Sequence, residues 1–129
     1  MQNYFKADYA QIDYDAESNA VVFIWLIPGS YDEFRESMEK IMEAEQYFKT
    51  GKLIVDTNNQ GIIHPDNQKW LATDWWERAA KIGHSHAAII MPKDILAAMS
   101  VEETMAQVNG VIVGYFNNME DATEWIKHA

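Results

Sequence analysis

Apolar and polar residues alternate loosely over Tyr9-Ala10-Gln11-Ile12-Asp13-Tyr14, give way to Asp15-Ala16-Glu17-Ser18-Asn19, and return as the apolar run Ala20 to Ile27. Period-two alternation, a turn-forming cluster and a second apolar segment predict an N-terminal β-hairpin. Pro28-Gly29 stops the second strand. Ser30 followed three residues later by Glu33 is a capping box, which predicts a helix running to about Lys49. Tyr31, Phe34, Met38, Ile41, Met42 and Phe48 recur at helical spacing along it, and the stripe is broken only at Glu45. Gly51 is expected to end this helix.

Lys52 to Asp56 then reads as a short buried strand, and the segment Thr57 to Ile63 leads to His64-Pro65, where proline suits a first helical turn. Leu71, Ala72, Trp75, Trp76, Ala79 and Ile82 form the inward face of a second helix closed by Gly83. Ala87 to Met91 is a third buried-type strand, stopped by Pro92. A short turn or helix is expected near Asp94 to Met99. Ser100 and Glu103 repeat the capping-box spacing and predict a separate short helix through about Gln107. Gly110 to Phe116 is the last strand, and Asn117 or Asn118 caps a terminal helix with Met119, Ala122 and Ile126 on its stripe and Trp125 beside them. The predicted order is β-β-α-β-α-β-α-β-α.

Short strands separated by helices of crossover length indicate an α/β fold, with a mixed sheet of about five strands: an antiparallel hairpin, then parallel strands. Right-handed crossovers between sequential neighbours put every connecting helix on one face of the sheet. Yet the strands near 21–27, 53–55, 87–91 and 111–116 are almost continuously apolar, as in strands covered on both sides. Either a helix crosses to the second face or another chain covers it.

Length and composition narrow the function. At 129 residues, with 48% hydrophobic and 12% aromatic side chains, the chain is sized for one domain spanning 1–129 and is too apolar for a disordered tail. Twenty acidic against 10 basic residues give a net charge of -10, which repels phosphate backbones and anionic lipid surfaces. Nucleic acid is therefore not an expected partner, and membrane insertion is not expected because the longest apolar run, Ala20 to Pro28, is too short to span a bilayer. No Cys is present, which removes disulfides, thiolate nucleophiles and cysteine metal sites. The N-terminus lacks the basic start and apolar run of a signal peptide, and a cytoplasmic location is expected.

The opening hairpin, Leu53-Ile54-Val55-Asp56 before a loop and helix, the Trp-bearing segment Trp70 to Gly83 leading into Ala87 to Pro92, and the ending Tyr115 to Ile126 together resemble the SpoIIAA-like superfamily. That superfamily includes the STAS domains of anti-anti-sigma factors; the chain is more closely similar to small bacterial STAS/SEC14-like proteins. The resemblance implies a SpoIIAA-like fold and a non-enzymatic domain for protein-protein regulation, with small or apolar ligands in some branches. In anti-anti-sigma factors the corresponding loop carries a phosphorylated Ser. Here Ile62-Ile63-His64-Pro65-Asp66-Asn67 has no Ser or Thr, so that switch does not carry over.

Candidate chemistry is sparse. His84-Ser85-His86 places two imidazoles close together but offers no third ligand, so no metal is expected and the segment reads as a polar strand entry. No nucleotide cofactor is expected either, because both glycine-rich phosphate-binding patterns are absent. The carboxylates from Asp32 to Glu45 read as the solvated face of the first helix. His64 and Asp66 could serve a hydrolase, but no nucleophile motif accompanies them. Trp75 and Trp76 can share one helix face while Trp70 points elsewhere. The candidate ligand- or partner-binding residues are accordingly Thr57, Asn58, Asn59, Gln60, His64, Asp66 and Trp70, at strand carboxyl ends where open α/β sheets bind. The leading expectation is a non-catalytic interaction domain, homodimeric, with a regulatory protein partner. The alternative is a carrier or sensor of a small apolar ligand; a hydrolase centred on His64 and Asp66 comes third.

Overall fold

The computed structural model describes residues 1–129 as one mixed sheet with helices on both faces. The strands are β1 (Gln2–Lys6), β2 (Ala10–Asp15), β3 (Ala20–Trp25), β4 (Lys52–Asp56), β5 (His86–Ile90) and β6 (Ile112–Phe116). They lie in sequential order β1-β2-β3-β4-β5-β6, antiparallel through β3 and parallel from β3 to β6. The hairpin-then-parallel architecture is as expected, but there are six strands rather than about five. β1 escapes the pattern because it is a largely polar edge strand broken by a bulge between Asn3 and Phe5.

The first helix, α1 (Tyr31–Phe48), opens with the expected box: Ser30 Oγ accepts from the Glu33 amide and Glu33 Oε1 accepts from the Ser30 amide. It ends at Lys49, which takes the left-handed conformation at φ 54°, so Gly51 is not the terminator. Gly51 instead passes against the backbone of Gly83, where a Cβ would overlap the Gly83 carbonyl. The next helical segment runs unbroken through α2 (Pro65–Trp70), a π-helical turn (Leu71–Trp75) and α3 (Trp76–Lys81). In the π turn the Trp76 amide donates to Leu71 O, five residues back. That turn brings Leu71 and Trp76 to the same side, and with Trp75 and Ala79 both Trp rings are buried.

A single helix, α4 (Ile95–Met105), replaces the two short ones expected between Asp94 and Gln107. Asp94 caps it, accepting from the amides of Leu96 and Ala97 at 2.8 and 3.1 Å. Ser100, read as a cap, lies inside the helix; its hydroxyl accepts from the Ile63 amide at 2.8 Å. The last helix, α5 (Met119–Lys127), is capped by Asn118.

The crossovers α1, α2 to α3 and α4 cover one face, over a core that includes Ile12, Val21, Phe23, Leu53, Ile89 and Trp75. On the other face α5 packs on β4, β5 and β6, where Ala122 and Ile126 meet Val22, Ile54, Ala88 and Ile90. The helix that crosses over is the terminal one. It joins no further strand, so the handedness of crossovers does not constrain it. No helix is long and apolar enough to cross a membrane.

Candidate functional site

The carboxyl ends of β3, β4 and β5 converge on the Thr57–His64 loop, which is held from several sides. The Thr57 amide and hydroxyl both donate to Ile90 O, at 3.2 and 2.6 Å, joining the end of β4 to that of β5. The Gln60 amide closes a turn onto Thr57 O at 3.1 Å. Gly61 follows at φ +78°, a conformation that side chains rarely adopt. The Ile63 amide is fixed by Ser100 as above. Such a loop is a framework for its side chains, which diverge.

Thr57 and Gln60 are buried and turn inward. They border a partly open cavity of about 50 Å³ between the sheet and helices α1, α2 to α3 and α4, lined mainly by apolar residues including Phe34, Met38, Leu71 and Val101. Asn58 and Asn59 point outward and line a surface groove with Ile27, Ile62 and Leu96. His64 caps α2: its Nδ1 accepts from the Asp66 amide at 3.1 Å, and its ring meets Tyr31 edge-on. Together with Ser30, Tyr31 and Asn67 it lines a second recess of about 60 Å³, on which Gln60, Phe34 and Ile63 also border.

Trp70 does not join the cavity. The Arg35 guanidinium lies over its ring at 4.9 Å and over Tyr31 at 4.8 Å. Arg35 Nε donates to the buried Asn67 at 2.8 Å. This stack fastens α2 to α1. Asp66 is exposed in the first turn of α2, complementing its N-terminus. The predicted residues thus separate into an interior pair, an outer pair, a helix cap with its acidic neighbour, and an interhelical clamp.

Two features escaped the sequence reading. The first is Glu45, the single acidic break in the α1 stripe: it is buried, with Oε2 2.6 Å from His84 Nδ1, and the rings of Trp75 and Trp76 flank the imidazole. His84 is therefore an interior residue and not a polar strand entry. No group of three or more His, Asp or Glu side chains is gathered in a way that could hold a metal ion.

The second is the outer edge of β6. The Ile112 amide donates to Ser85 O, and Phe116 O accepts from the Met91 amide, so both residues bond toward β5. Alternation then turns the amides and carbonyls of Val113 and Tyr115 away from the sheet, where no strand of this chain pairs with them. Ile112 is 59% exposed and Tyr115 49% exposed. Tyr115 shares a face with α4, and partial burial, followed by the nearby Glu102 carboxylate, raises the pKa of its hydroxyl. Ile95 and Met99, one turn apart on α4, are exposed as well. The visible signal was charge: no charged side chain occurs between Glu103 and Glu120.

No protein-family model, curated protein or solved structure matches the chain.

Proposed function

We propose that this chain is a non-catalytic interaction domain that works as a homodimer, two β6 edges pairing antiparallel to make one sheet through both protomers. The observation that carries the reading is the absence of charge from the β6 strand itself, with Glu102 near Tyr115 and Asp121 and Glu124 beside Ile112 the acidic groups around it. A chain with net charge -10 opposes its own association, and exposed edge strands are normally guarded by charge, proline or a bulge. β1, the other edge, has Lys6 and a bulge. β6 has neither. The comparable uncharged stretch around β3 is explained by its central, buried position, an explanation that does not reach β6. Ile112 and Tyr115 supply exposed apolar side chains to flank the pairing.

The dimer expected from the sequence rested on an uncovered sheet face. α5 occupies that face, so the argument moves to the sheet edge. The SpoIIAA-like, STAS-like relationship belongs to the same proposal and is supported by the hairpin-then-parallel order. Its regulation would act through association, since no hydroxyl stands between Ile62 and Asn67. A hydrolytic role for His64 and Asp66 is disfavoured because the His64 Nδ1 is engaged in capping α2.

Sedimentation equilibrium at about 10–100 μM tests the reading. The wild type should sediment as a dimer, and Tyr115→Lys and Ile112→Lys as monomers with unchanged far-UV circular dichroism. A strictly monomeric wild type overturns it.

A further inference from the structure

We propose that the interior cavity is a binding site for a small, mostly apolar molecule bearing a hydrogen-bond acceptor, and that Gln60 is both its gate and its polar contact. Two residues of the cavity lining carry donors without a partner, the Gln60 amide Nε2 and the Trp76 indole Nε1, and they are only 9% and 5% exposed. The other polar groups there are committed. The Thr57 hydroxyl donates to Ile90 O, the Thr104 hydroxyl to Ser100 O and the Trp75 indole to Met38 O. Buried donors are almost always paired, so two unpaired ones on residues that line one apolar cavity call for an acceptor. Nothing in this chain supplies one to them.

Size identifies what must move. A cavity of about 150 Å³ is needed for a benzene-sized guest, whereas this one measures about 50 Å³. The adjoining recess measures about 60 Å³, so the two spaces alone fall short of that size and the volume vacated by a moving side chain must make up the rest; the wall between them is made by Phe34, Gln60 and Ile63. Ile63 is fixed through its backbone to Ser100, and the Phe34 ring is stacked on Trp25. The Gln60 side chain has no anchored donor. Its rotation merges the two spaces and opens the interior toward Tyr31 and His64, while its amide stays within reach of the guest. The class this selects is a compact cyclic or branched molecule with one carbonyl-type oxygen. An uncharged guest is favoured, because no cationic side chain lines the cavity itself.

The site lies on the face covered by α1 to α4 and does not depend on the β6 edge, so it can be tested on wild type and on the Tyr115→Lys variant alike. Cyclohexanone and cyclohexane serve as probes, followed by methyl-selective NMR titration. Saturable shifts should centre on Ile63, Leu71 and Val101, with cyclohexanone binding about tenfold more tightly than cyclohexane, the ratio expected of one net hydrogen bond. Gln60→Met keeps the length and removes the amide; it should bring the ratio below about threefold. Val101→Leu, which fills the cavity, should weaken both probes together. Methyl shifts absent for both probes, equal affinity of the two, or a preference unchanged in Gln60→Met overturns the proposal.

Discussion

Glu45 and His84, 39 positions apart in sequence, meet at 2.6 Å in the interior with almost no solvent access to either side chain. Glu45 belongs to α1 and His84 to the connection between α3 and β5, so their contact closes the helical layer onto the sheet. Removing one partner leaves a buried polar group without its main hydrogen bond, which costs about 3 kcal/mol. His84→Ala and Glu45→Ala should each lower the urea midpoint by that equivalent. The double replacement Glu45→Leu with His84→Leu should cost much less than the sum, because neither polar group is left behind. A double-mutant cycle by urea denaturation checks this, and simple additivity would count against direct coupling.

Tyr4 on β1 donates to Glu43 Oε1 on α1 at 2.7 Å, tying the edge of the sheet to the first helix. Burial, then this bond, pushes the Tyr4 hydroxyl up to about 12 from its usual value near 10. The Tyr4 bond, then Lys40, holds the Glu43 carboxyl below its ordinary range. A raised Tyr4 contributes stability in full below pH 10 and loses it as pH rises toward 12. A lowered Glu43 contributes above its ordinary pKa of 4.5 and loses that as pH falls. The tie is thus fully present only between about pH 5 and pH 10. Tyr4→Phe should lower the thermal midpoint at pH 7 and converge on wild type at both extremes; a constant offset across pH would remove this account.

Gly51 and Gly83 offer a controlled contrast in backbone demands. A Cβ on Gly51 would strike the Gly83 carbonyl, a backbone atom that cannot rotate aside. Gly51→Ala should therefore cost about 3 kcal/mol or prevent folding. Around Gly83 there is open space, but its φ of +101° is strained for any residue with a side chain. Gly83→Ala should cost only about 1 kcal/mol. Guanidinium melts of the two variants check the order, and the reverse ranking would refute the close approach.

Elements set by local chemistry were legible in advance, and those set by distant partners were not. Ser30 with Glu33 is a self-contained box, so α1 could be placed from a few residues. Ser100 with Glu103 shows the same spacing, but its hydroxyl is taken by Ile63, 37 residues earlier, while Asp94 had already started the helix. The Thr57–His64 loop was placed correctly at the strand ends. Its turn then sent Thr57 and Gln60 inward and Asn58 and Asn59 outward, a division that depends on Gly61 and on contacts with β5. Glu45 looked like a flaw in an apolar stripe because its partner lies on another element. The gap in charge from Thr104 to Met119 was present in the sequence, yet it takes on meaning only once β6 is known to lie at an edge.

The π turn at Leu71–Trp75 makes a prediction about deletions. In an α-helix, removing one residue rotates everything beyond it by about 100°. Where Trp76 already bonds to Leu71 across five residues, removal of one restores the four-residue α-helical spacing and keeps Trp76 and Ala79 on the buried side. Thr73 is the natural choice, being exposed, with its hydroxyl bonded only to Lys69 O within the same helix. Deletion of Thr73 should fold with a loss of no more than about 2 kcal/mol, mostly from displacement of Trp75 and its bond to Met38 O. Deletion of the exposed Glu39 in regular α1 should be far worse, since it rotates Ile41, Met42 and Ala44 out of the core together. Chemical denaturation of the two deletions, with tryptophan fluorescence reporting burial of Trp75 and Trp76, decides the matter. Equal damage from both would mean that the π turn is not a removable insertion.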